Sequence, residues 1–418
     1  MSSNRTTADP PSGRVRVLPE HVARKIAAGE VIDRPHAAVR ELLDNAVDSG
    51  ATEVTLEIRG GGIDEVRVSD NGCGMDEADL DMCWLPHATS KIASAEDLER
   101  VSTLGFRGEA LASLAACSRL EILSSRDAES RRLVIHGGKK LELAPHGGAP
   151  GTTVSVKDLF FNMPARRRFL KSPRAESGLC RRVFLEKAAA HPHLAFRLVV
   201  DGVLKTFLPP GTHRDRIAAA WPRLGSRDAW WESSGRGDGF RITVVHARPE
   251  LSRRDRKSLQ VYANRRRIDE FALVQAMQYA YDAWMPGGAF PAAFAFVEID
   301  PALVDFNIHP AKKEARFRDL PAIRHRLIEL IKDRITSEAY RRRAAAAEDS
   351  ASRDSAQGRL MDDDGAAARR PASIGGGPWH RSRTEAPSAR ESAAEFGEAA
   401  RRLRHERRIP VPPSPLRS

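Results

Sequence analysis

The sequence has few cysteines and no long apolar run. Its 418 residues include only four cysteines, which are far apart and form no Cys-x-x-Cys pair: Cys73, Cys83, Cys117 and Cys180. This spacing argues against a disulfide framework and against a zinc site. The first 20 residues lack the apolar core of a signal peptide, and no later run is long enough to span a bilayer. These absences predict a cytoplasmic protein that does not insert into a membrane.

The chain carries a moderate excess of positive charge. The chain has 67 Lys and Arg against 56 Asp and Glu, a formal net charge of +11. With 41% hydrophobic and 29% charged residues, it is too polar for a membrane protein and too apolar to be wholly disordered. The positive balance permits a polyanionic partner such as nucleic acid, but by itself it describes only the electrostatic field.

The composition divides the chain into folded and unfolded parts. Short β-rich runs alternate with helical patterns through most of its length, which is typical of α/β or α+β layers. From Arg341 onward there are 16 Arg and no Lys against 11 Asp and Glu, with too little apolar surface to offset the ordering entropy. We therefore predict an α+β protein with these parts: a flexible N-terminus at 1–14, an α/β domain at 15–200, a second α/β domain at 201–335 and a disordered tail at 336–418.

The segment from Pro35 to Gly50 has clear helical punctuation, since proline suits the first turn of a helix and glycine suits its C-terminal cap. Its apolar residues follow helical spacing and should face a core: Val39, Leu42, Leu43 and Ala46. The opposite stripe is polar: Glu41, Asp44, Asn45 and Asp48. This stripe is either a solvated face or a site in which Glu41 activates a water and Asn45 ligates Mg²⁺. The helix alone leaves both interpretations open.

Two glycine-containing turns follow predicted strands or precede a helix. A strand ends at Asp70 and meets Asn71-Gly72-Cys73-Gly74-Met75. Asn-Gly favours a hairpin, but the next residues have a helical pattern, so we expect a strand-to-helix turn with Asp70 able to accept a hydrogen bond from the N6 amine of adenine. The second turn, Gly105–Leu111, leads into a run with high helix propensity and can present N–H groups to an anion. It is not a Walker P-loop.

Basic residues accompany two further segments. The cluster Arg166–Arg168 follows the run GTTVSVKDLFFNMPA and suits either phosphate contacts or an exposed basic helix start. Lys312 lies in the sequence FNIHPAKKE, in a predicted turn after a strand, where an ammonium can reach a terminal phosphate. We interpret His309 in the same segment as structural, because no Ser, Cys or Asp arrangement accompanies it in sequence.

Taken together, these segments resemble the MutL family of DNA mismatch repair proteins. The matching text is KIAAGEVIDRPHAAVRELLDNAVDSGA, DNGCGM, HATSKI, LGFRGEALASL, GTTVSVKDLFFNMPARRRFLK and FNIHPAKKEARF, and it covers roughly residues 15–335. The resemblance implies a Bergerat-type ATP-binding α/β sandwich, which type II topoisomerases, ninety-kilodalton heat-shock chaperones and histidine kinases share. It implies a smaller β-α-β fold for the second domain.

The resemblance also implies ATP and Mg²⁺ as cofactors and assigns roles to individual residues. Glu41 resembles the general base, Asn45 the Mg²⁺ ligand and Asp70 the adenine-reading carboxylate. Further positions match nucleotide-binding or lid residues of the family: Gly74, Lys91, Gly105, Phe106, Arg107, Gly108, Glu109, Ala110, Leu111, Thr153 and Lys312. The second domain would contact DNA, for which we selected the cluster beside Tyr262: Arg265, Arg266 and Arg267.

The function that the resemblance implies is an ATP-dependent, dimerising coordinator of mismatch repair with weak Mg²⁺-dependent ATP hydrolysis. Its partners would be a MutS-type mismatch-recognition protein, DNA and a second copy of the chain, in a nucleoid-associated cytoplasmic location without a membrane. The alternative is an ATP-sensing adaptor that does not hydrolyse. The presence of Glu41 favours hydrolysis, because a module that only binds nucleotide does not need a general base.

Some positions depart from the family pattern. Asp44 and Ser49 stand where the family often has Glu and Ala, and Asn-Arg-Arg-Arg at 264–267 replaces a more usual Asn-Gly-Arg. The family normally continues through a linker into a C-terminal dimerisation domain, and its nicking branch carries an acidic–histidine metal motif. Neither is present in the 418 residues, so we expect a truncated product or a protein that works without constitutive dimerisation.

Overall fold

A computed structural model describes residues 17–91, 108–127, 129–306 and 315–362 of the chain. The chain divides into two compact units, residues 1–347 and residues 348–418, and both β-sheets described below belong to the first. Within the described ranges, no helix combines the length and the apolar character needed to cross a membrane.

The first part of the chain builds an eight-stranded sheet with the order β5-β4-β3-β6-β2-β1-β7-β8. Its strands are β1 (Glu53–Arg59), β2 (Glu65–Asp70), β3 (Arg119–Arg126), β4 (Glu129–His136), β5 (Lys139–Pro145), β6 (Gly151–Lys157), β7 (Ala195–Val200) and β8 (Val203–Leu208). The accompanying helices are α1 (Glu20–Val31), α2 (Pro35–Asp48), α3 (Glu77–Met82), α4 (Ala110–Cys117), α5 (Pro164–Arg168) and α6 (Pro173–Ala190). Only β1 and β7 pair in parallel; the other neighbours in this sheet are antiparallel.

Alternation along the strands gives this sheet one buried face. Leu56 of β1 pairs with Val68 of β2, which pairs with Val154 of β6, which in turn pairs with Ile122 of β3. Paired residues lie on the same face of a sheet, so these side chains form a continuous apolar row. They pack against helices α2, α4 and α6 in one core. The predicted α/β sandwich is therefore confirmed, with helices covering one face of the sheet.

Helix α2 forms where the sequence predicts it. Proline occupies its first position, and Gly50 follows its end with φ +76°, a conformation that favours glycine. The predicted core residues are all buried: Val39, Leu42, Leu43 and Ala46. The spacing of apolar residues thus predicts both the helix and the face that it buries.

The second sheet has five strands in the order β12-β11-β13-β10-β9. The remaining elements are α7 (His213–Ala220), β9 (Trp230–Gly237), β10 (Phe240–Ala247), β11 (Leu259–Ala263), β12 (Arg266–Ile268), α8 (Phe271–Tyr279), β13 (Ala293–Ile299), β14 (Val304–Asp305), β15 (Arg316–Phe317) and α9 (Leu320–Asp362). Residues of α8 and α9 share one core with this sheet. A separate apolar cluster joins its other face to α7 and to the end of α6.

Two elements extend beyond the predicted boundaries. Strand β8 pairs with β7, so the first sheet continues past residue 200 to Leu208. Helix α9 continues past residue 335 to Asp362, into the segment expected to begin the tail. The reason is the abundance of Ala, Arg and Glu after residue 336, all of which favour helix. The remainder of the predicted tail, from residue 363, lies outside the described residues, and the domain boundaries stay a prediction.

The buried guanidinium of Arg216 ties α7 to the end of α6 and to segments beside β7 and β8. The side chain, which is only 2% exposed, donates hydrogen bonds to the carbonyl oxygens of Ala188, Pro192, Leu194 and Pro209. Burial lowers the pKa of Arg216 to about 10, still far above neutrality, so the group stays charged. One side chain thereby holds the end of α6 and the segments that flank β7 and β8.

We expect Arg216→Met to lower the free energy of unfolding by about 3 kcal/mol, because it leaves buried carbonyl groups without their charged donor. Urea unfolding at pH 7 measures the change. Arg223→Met is the matched control, since Arg223 is exposed close to the same helix, and it should shift stability by less than about 0.5 kcal/mol. Equal effects of the two substitutions would contradict the role given to Arg216.

Candidate functional site

Polar side chains replace the apolar row at one end of three neighbouring strands. Asp70 of β2 pairs with Thr152 of β6, and Thr152 pairs with Ser124 of β3. The hydroxyl oxygens of Ser124 and Thr152 lie 2.9 Å apart and share a hydrogen bond. All three residues belong to the face that the helices cover, so the sheet carries a polar cluster at the edge of its core.

Helix α2 reaches this cluster through the residue that follows its last turn. Ser49 Oγ donates to Asp70 Oδ1 at 3.1 Å, and the Gly72 N–H donates to the same oxygen at 2.9 Å. Burial raises the pKa of Asp70 above its ordinary value, and hydrogen bonds from Gly72, Ser49 and Thr152 oppose that increase. Asp70 is therefore a half-buried acceptor placed between α2 and the strand ends.

The turn after Asp70 requires glycine at a defined place. Gly74 has φ +67°, and a Cβ atom there would lie 2.1 Å from the carbonyl oxygen of Ser125. The adjacent Met75 N–H donates to Ser124 Oγ at 2.8 Å, which fixes the turn against β3. Helix α3 follows, so the prediction of a strand-to-helix turn in place of a hairpin is confirmed.

The structure separates Thr153 from Asp70. Thr153 pairs with Ser69, and its hydroxyl donates to Ser69 Oγ at 3.0 Å. Successive residues of a strand point to opposite faces, so Thr153 lies on the face away from Asp70. Thr152 is the residue beside the carboxylate, which the sequence interpretation missed. Pairing Gly151-Thr152 with the end of β2 would have indicated it, but that register is not readable from one strand alone.

The polar stripe of α2 receives a cation from the loop beyond α3. Lys91 Nζ donates to Asn45 Oδ1 at 3.0 Å and to Asp48 Oδ2 at 2.7 Å. Glu41, half-buried, lies one turn before Asn45 on the same side of the helix. The structure thus brings Lys91 together with the stripe that carries Glu41 and Asn45; the roles of these residues in one site stay a prediction.

Asp44, which the sequence interpretation placed on that polar stripe, is only 8% exposed. Its carboxylate forms an ion pair with Lys187 of α6, a residue that no sequence motif indicated. Helices α2 and α6 pack along each other, which explains why this part of the stripe is covered. The solvated-face interpretation therefore fails for Asp44.

The described part of the glycine-rich segment contacts the loop that carries Lys91. Gly108 has φ +62°, its carbonyl accepts from the His87 N–H at 3.1 Å, and a Cβ there would lie 2.7 Å from the Ala88 carbonyl oxygen. Glu109 precedes α4, and the next residues, Ala110 and Leu111, form its first turn. Other predicted site residues lie outside the described residues: Gly105, Phe106, Arg107 and Lys312.

The arginine cluster extends from the turn between β11 and β12 into β12. Arg265 is exposed at this turn with φ +66°. Arg267 pairs with Asp269 at 2.8 Å. Arg266 is 8% exposed and stacks over the Phe306 ring at 4.8 Å. Burial lowers the pKa of Arg266, and the α2 carboxylates at positions 44 and 48 act to raise it, so this residue faces the site and not the solvent.

Two family models match the chain in separate regions. Residues 33–137 match the "Histidine kinase-, DNA gyrase B-, and HSP90-like ATPase" model, and residues 227–336 match the "DNA mismatch repair protein, C-terminal domain" model. The first match contains α2, Asp70 and Gly74. The second contains the five-stranded sheet and the arginine cluster.

Relatives of known name share about two fifths of the residues. The chain is 43% identical over 327 residues to the DNA mismatch repair protein MutL of Treponema pallidum (strain Nichols), covering 75% of this chain and 53% of that protein. It is 37% identical over 325 residues to MutL of Borreliella afzelii (strain PKo), covering 78% and 52%. The chain thus spans about half the length of the curated relatives it matches.

Solved structures support the fold. The N-terminal domain of a DNA repair protein superposes with a TM-score of 0.63 at 22% identity, covering 76% of this chain and 98% of that one. The B-subunit of DNA gyrase from Myxococcus xanthus superposes with a TM-score of 0.52 at 18% identity, covering 76% and 95%. At these identities the likeness concerns the fold alone.

We expect Asp70→Asn to raise the melting temperature at pH 7, because it removes a half-buried charge whose pKa burial raises, and it keeps an oxygen for Ser49 and Gly72. The folded pKa lies above the unfolded value, so ionised Asp70 destabilises the protein above the folded pKa. That cost disappears as pH falls through the folded pKa toward about 4. The increase in melting temperature caused by Asp70→Asn should become smaller over the same pH range.

Thermal melts at several pH values measure this increase. Asp127→Asn is the control, because the side chain of Asp127 is 94% exposed. A melting temperature of Asp70→Asn below that of the wild type at pH 7 would contradict the prediction.

Proposed function

Because the chain belongs to the MutL family of DNA mismatch repair proteins, we propose that it binds and slowly hydrolyses ATP with Mg²⁺ and coordinates mismatch repair. In this role it pairs with a second copy when nucleotide is bound, and it works with DNA and a mismatch-recognition partner. One observation carries the proposal: Ser49 joins the helix that bears Glu41 and Asn45 directly to the half-buried carboxylate of Asp70.

The end of β2 supplies the proposed adenine contact. Asp70 can accept a hydrogen bond from the exocyclic amine of adenine, because a carboxylate has about four acceptor positions and the hydrogen bonds from Ser49, Gly72 and Thr152 use three of them. Gly74 keeps the turn free of a side chain, so a base can approach the backbone closely. Thr152, on the same face, replaces Thr153 in the proposal as the hydroxyl beside this pocket.

The proposed phosphate and metal contacts lie along α2 and α4. Asn45 offers a half-buried amide oxygen, which suits Mg²⁺, and in this structure that oxygen accepts from Lys91. Mg²⁺, when bound, neutralises charge on the phosphates. Lys91 supplies a cation beside the same oxygen, and the first turn of α4 offers N–H groups to an anion. No cluster of three or more acidic, His or Cys ligands occurs in the described residues, and Mg²⁺ often uses only one or two protein ligands.

Glu41 is the proposed general base. It lies one helical turn from Asn45, so a water that it orients would be close to the phosphate end of the nucleotide. Hydrolysis of ATP depends mainly on positioning and charge neutralisation, and one carboxylate that aligns water is sufficient for the protein's part in proton transfer. The alternative function, an adaptor that senses ATP without hydrolysing it, would not require a general base at this position.

We expect Glu41→Gln to reduce ATP hydrolysis by about 10²–10⁴-fold, since the amide cannot accept the proton of the attacking water. Binding of a non-hydrolysable analogue should remain, and the ATP-bound variant should accumulate as dimer. Phosphate release and light scattering measure the two effects. Glu57→Gln, on β1 and away from α2, is the control.

Two results would each contradict a separate part of this proposal, and a third would favour the alternative. Phosphate release at the wild-type rate from Glu41→Gln would remove Glu41 as the base. Failure of the wild-type chain to bind the ATP analogue would remove ATP as the ligand. Analogue binding without measurable wild-type hydrolysis would favour the adaptor function.

DNA binding is proposed for the outer part of the arginine cluster. Arg265 projects from the hairpin turn and is exposed, whereas Arg266 is buried against Phe306. We therefore propose that Arg265 contacts DNA phosphates, with Arg267 beside it, and that Arg266 does not.

We expect Arg265→Gln to reduce the slope of log affinity for duplex DNA against log salt by about 0.9, because one fewer counterion is released. Titrations at several salt concentrations measure the slope. Arg236→Gln provides an exposed arginine of the same sheet as control. Equal slopes for wild type and Arg265→Gln would exclude Arg265 from the interface.

A further inference from the structure

We propose that Lys187 is a positioning residue for hydrolysis: through Asp44 it fixes the orientation of the α2 turn that carries Glu41 and Asn45. This proposal rests on the ATP hydrolysis proposed above. It concerns a residue outside the nucleotide motifs, on a helix that extends from the first sheet to the second.

The ion pair is placed where it can control the α2 surface. Lys187 and Asp44 have side chains that are each 11% exposed, and their charged groups are in direct contact. Asp44 lies three residues after Glu41 and immediately before Asn45, within one turn of both. Any rotation of this turn about the helix axis would move Glu41 and Asn45 together, so an anchor on Asp44 sets the direction in which they project.

A second ion pair shows how α6 is aligned with α2. Arg34, the residue before α2, donates to Glu176 of α6 at 2.6 Å, and Glu176 is fully buried. The two pairs are ten residues apart on α2 and eleven apart on α6, so the helices run in the same direction. At 1.5 Å per residue, the pairs are about 15 Å apart. One pair therefore fixes the entry of α2, and the other fixes the half that carries the site.

The far end of α6 belongs to the second sheet's core. Ala189 and Ala190 are buried in the apolar cluster that includes Phe294 and Phe296 of β13. The carbonyl of Ala188, next to Lys187, accepts from Arg216 at 3.1 Å. The position of Lys187 is thus determined by the second sheet as well as by the first.

Strand β12 of the second sheet also approaches this region. It packs against α6, and the negative charges of Asp44 and Asp48 act on its buried Arg266 by raising that residue's pKa against the effect of burial. The direct contact with Asp44 comes from Lys187 on α6. A displacement of the second sheet relative to α2 would therefore be transmitted to Asp44 through α6.

The test compares two variants that each leave one buried carboxylate without its partner. Lys187→Met removes the cation at the site half of α2, and Arg34→Met removes the cation at its entry. We expect similar losses of melting temperature. Lys187→Met should lower kcat about tenfold with KM changed less than threefold, because positioning affects the reacting geometry more than binding. Arg34→Met should keep kcat within twofold, and Lys187→Arg should restore most of the activity.

Amide hydrogen exchange of α2, measured on the full chain without nucleotide, gives a readout that does not need ATP hydrolysis. Lys187→Met should accelerate exchange at residues 41–48 more than Arg34→Met does. Equal kcat losses in the two variants, or wild-type kcat in Lys187→Met, would overturn the proposal. A wild-type chain that binds the analogue but releases no phosphate would contradict the proposed hydrolysis, while exchange would still decide whether Lys187 holds the turn.

Discussion

The structure depends on the way α6 is shared between the two sheets. Its first turns are held to the start of α2 by a buried carboxylate, its middle lies in the core of the eight-stranded sheet, and its last residues lie in the core of the second sheet. The guanidinium of Arg216 closes this arrangement by binding carbonyl groups at the end of α6 and beyond it. Because α6 belongs to both cores and packs along α2, the position of α2 is referred to each sheet.

The local sequence pattern was sufficient to predict those parts of the fold that depend on residues close together in the chain. The helix α2, its buried face and the strand-to-helix turn after Asp70 all follow from spacing, capping residues and turn chemistry. The site contacts that were missed join distant positions. Asp44 and Lys187 are separated by most of the first sheet in sequence, and the burial of Arg266 needs Phe306 beneath it. The difference between Thr152 and Thr153 needs the strand register, which pairing decides.

The family assignment and the geometry answer different questions. The motif strings and the named relatives establish the family, and the superposed structures establish the fold. The geometry adds which chemical groups face each other. Lys91 donates to the amide oxygen of Asn45 and to the carboxylate of Asp48. Burial raises the pKa of Asp70, so the ionised carboxylate is held there at a cost to folding. Such local cost is common where a ligand is to be recognised.

The hairpin turn between β11 and β12 has a consequence for engineering this protein. Asn264 and Arg265 both adopt positive φ, and the left-handed conformation costs a non-glycine residue about 1–2 kcal/mol. Asparagine tolerates this conformation better than most residues, but arginine gains nothing from it locally. A screen that selects only for thermal tolerance would therefore favour glycine at position 265. That substitution would remove an outward-facing positive charge, so a gain in stability at this position would come with a loss of surface charge.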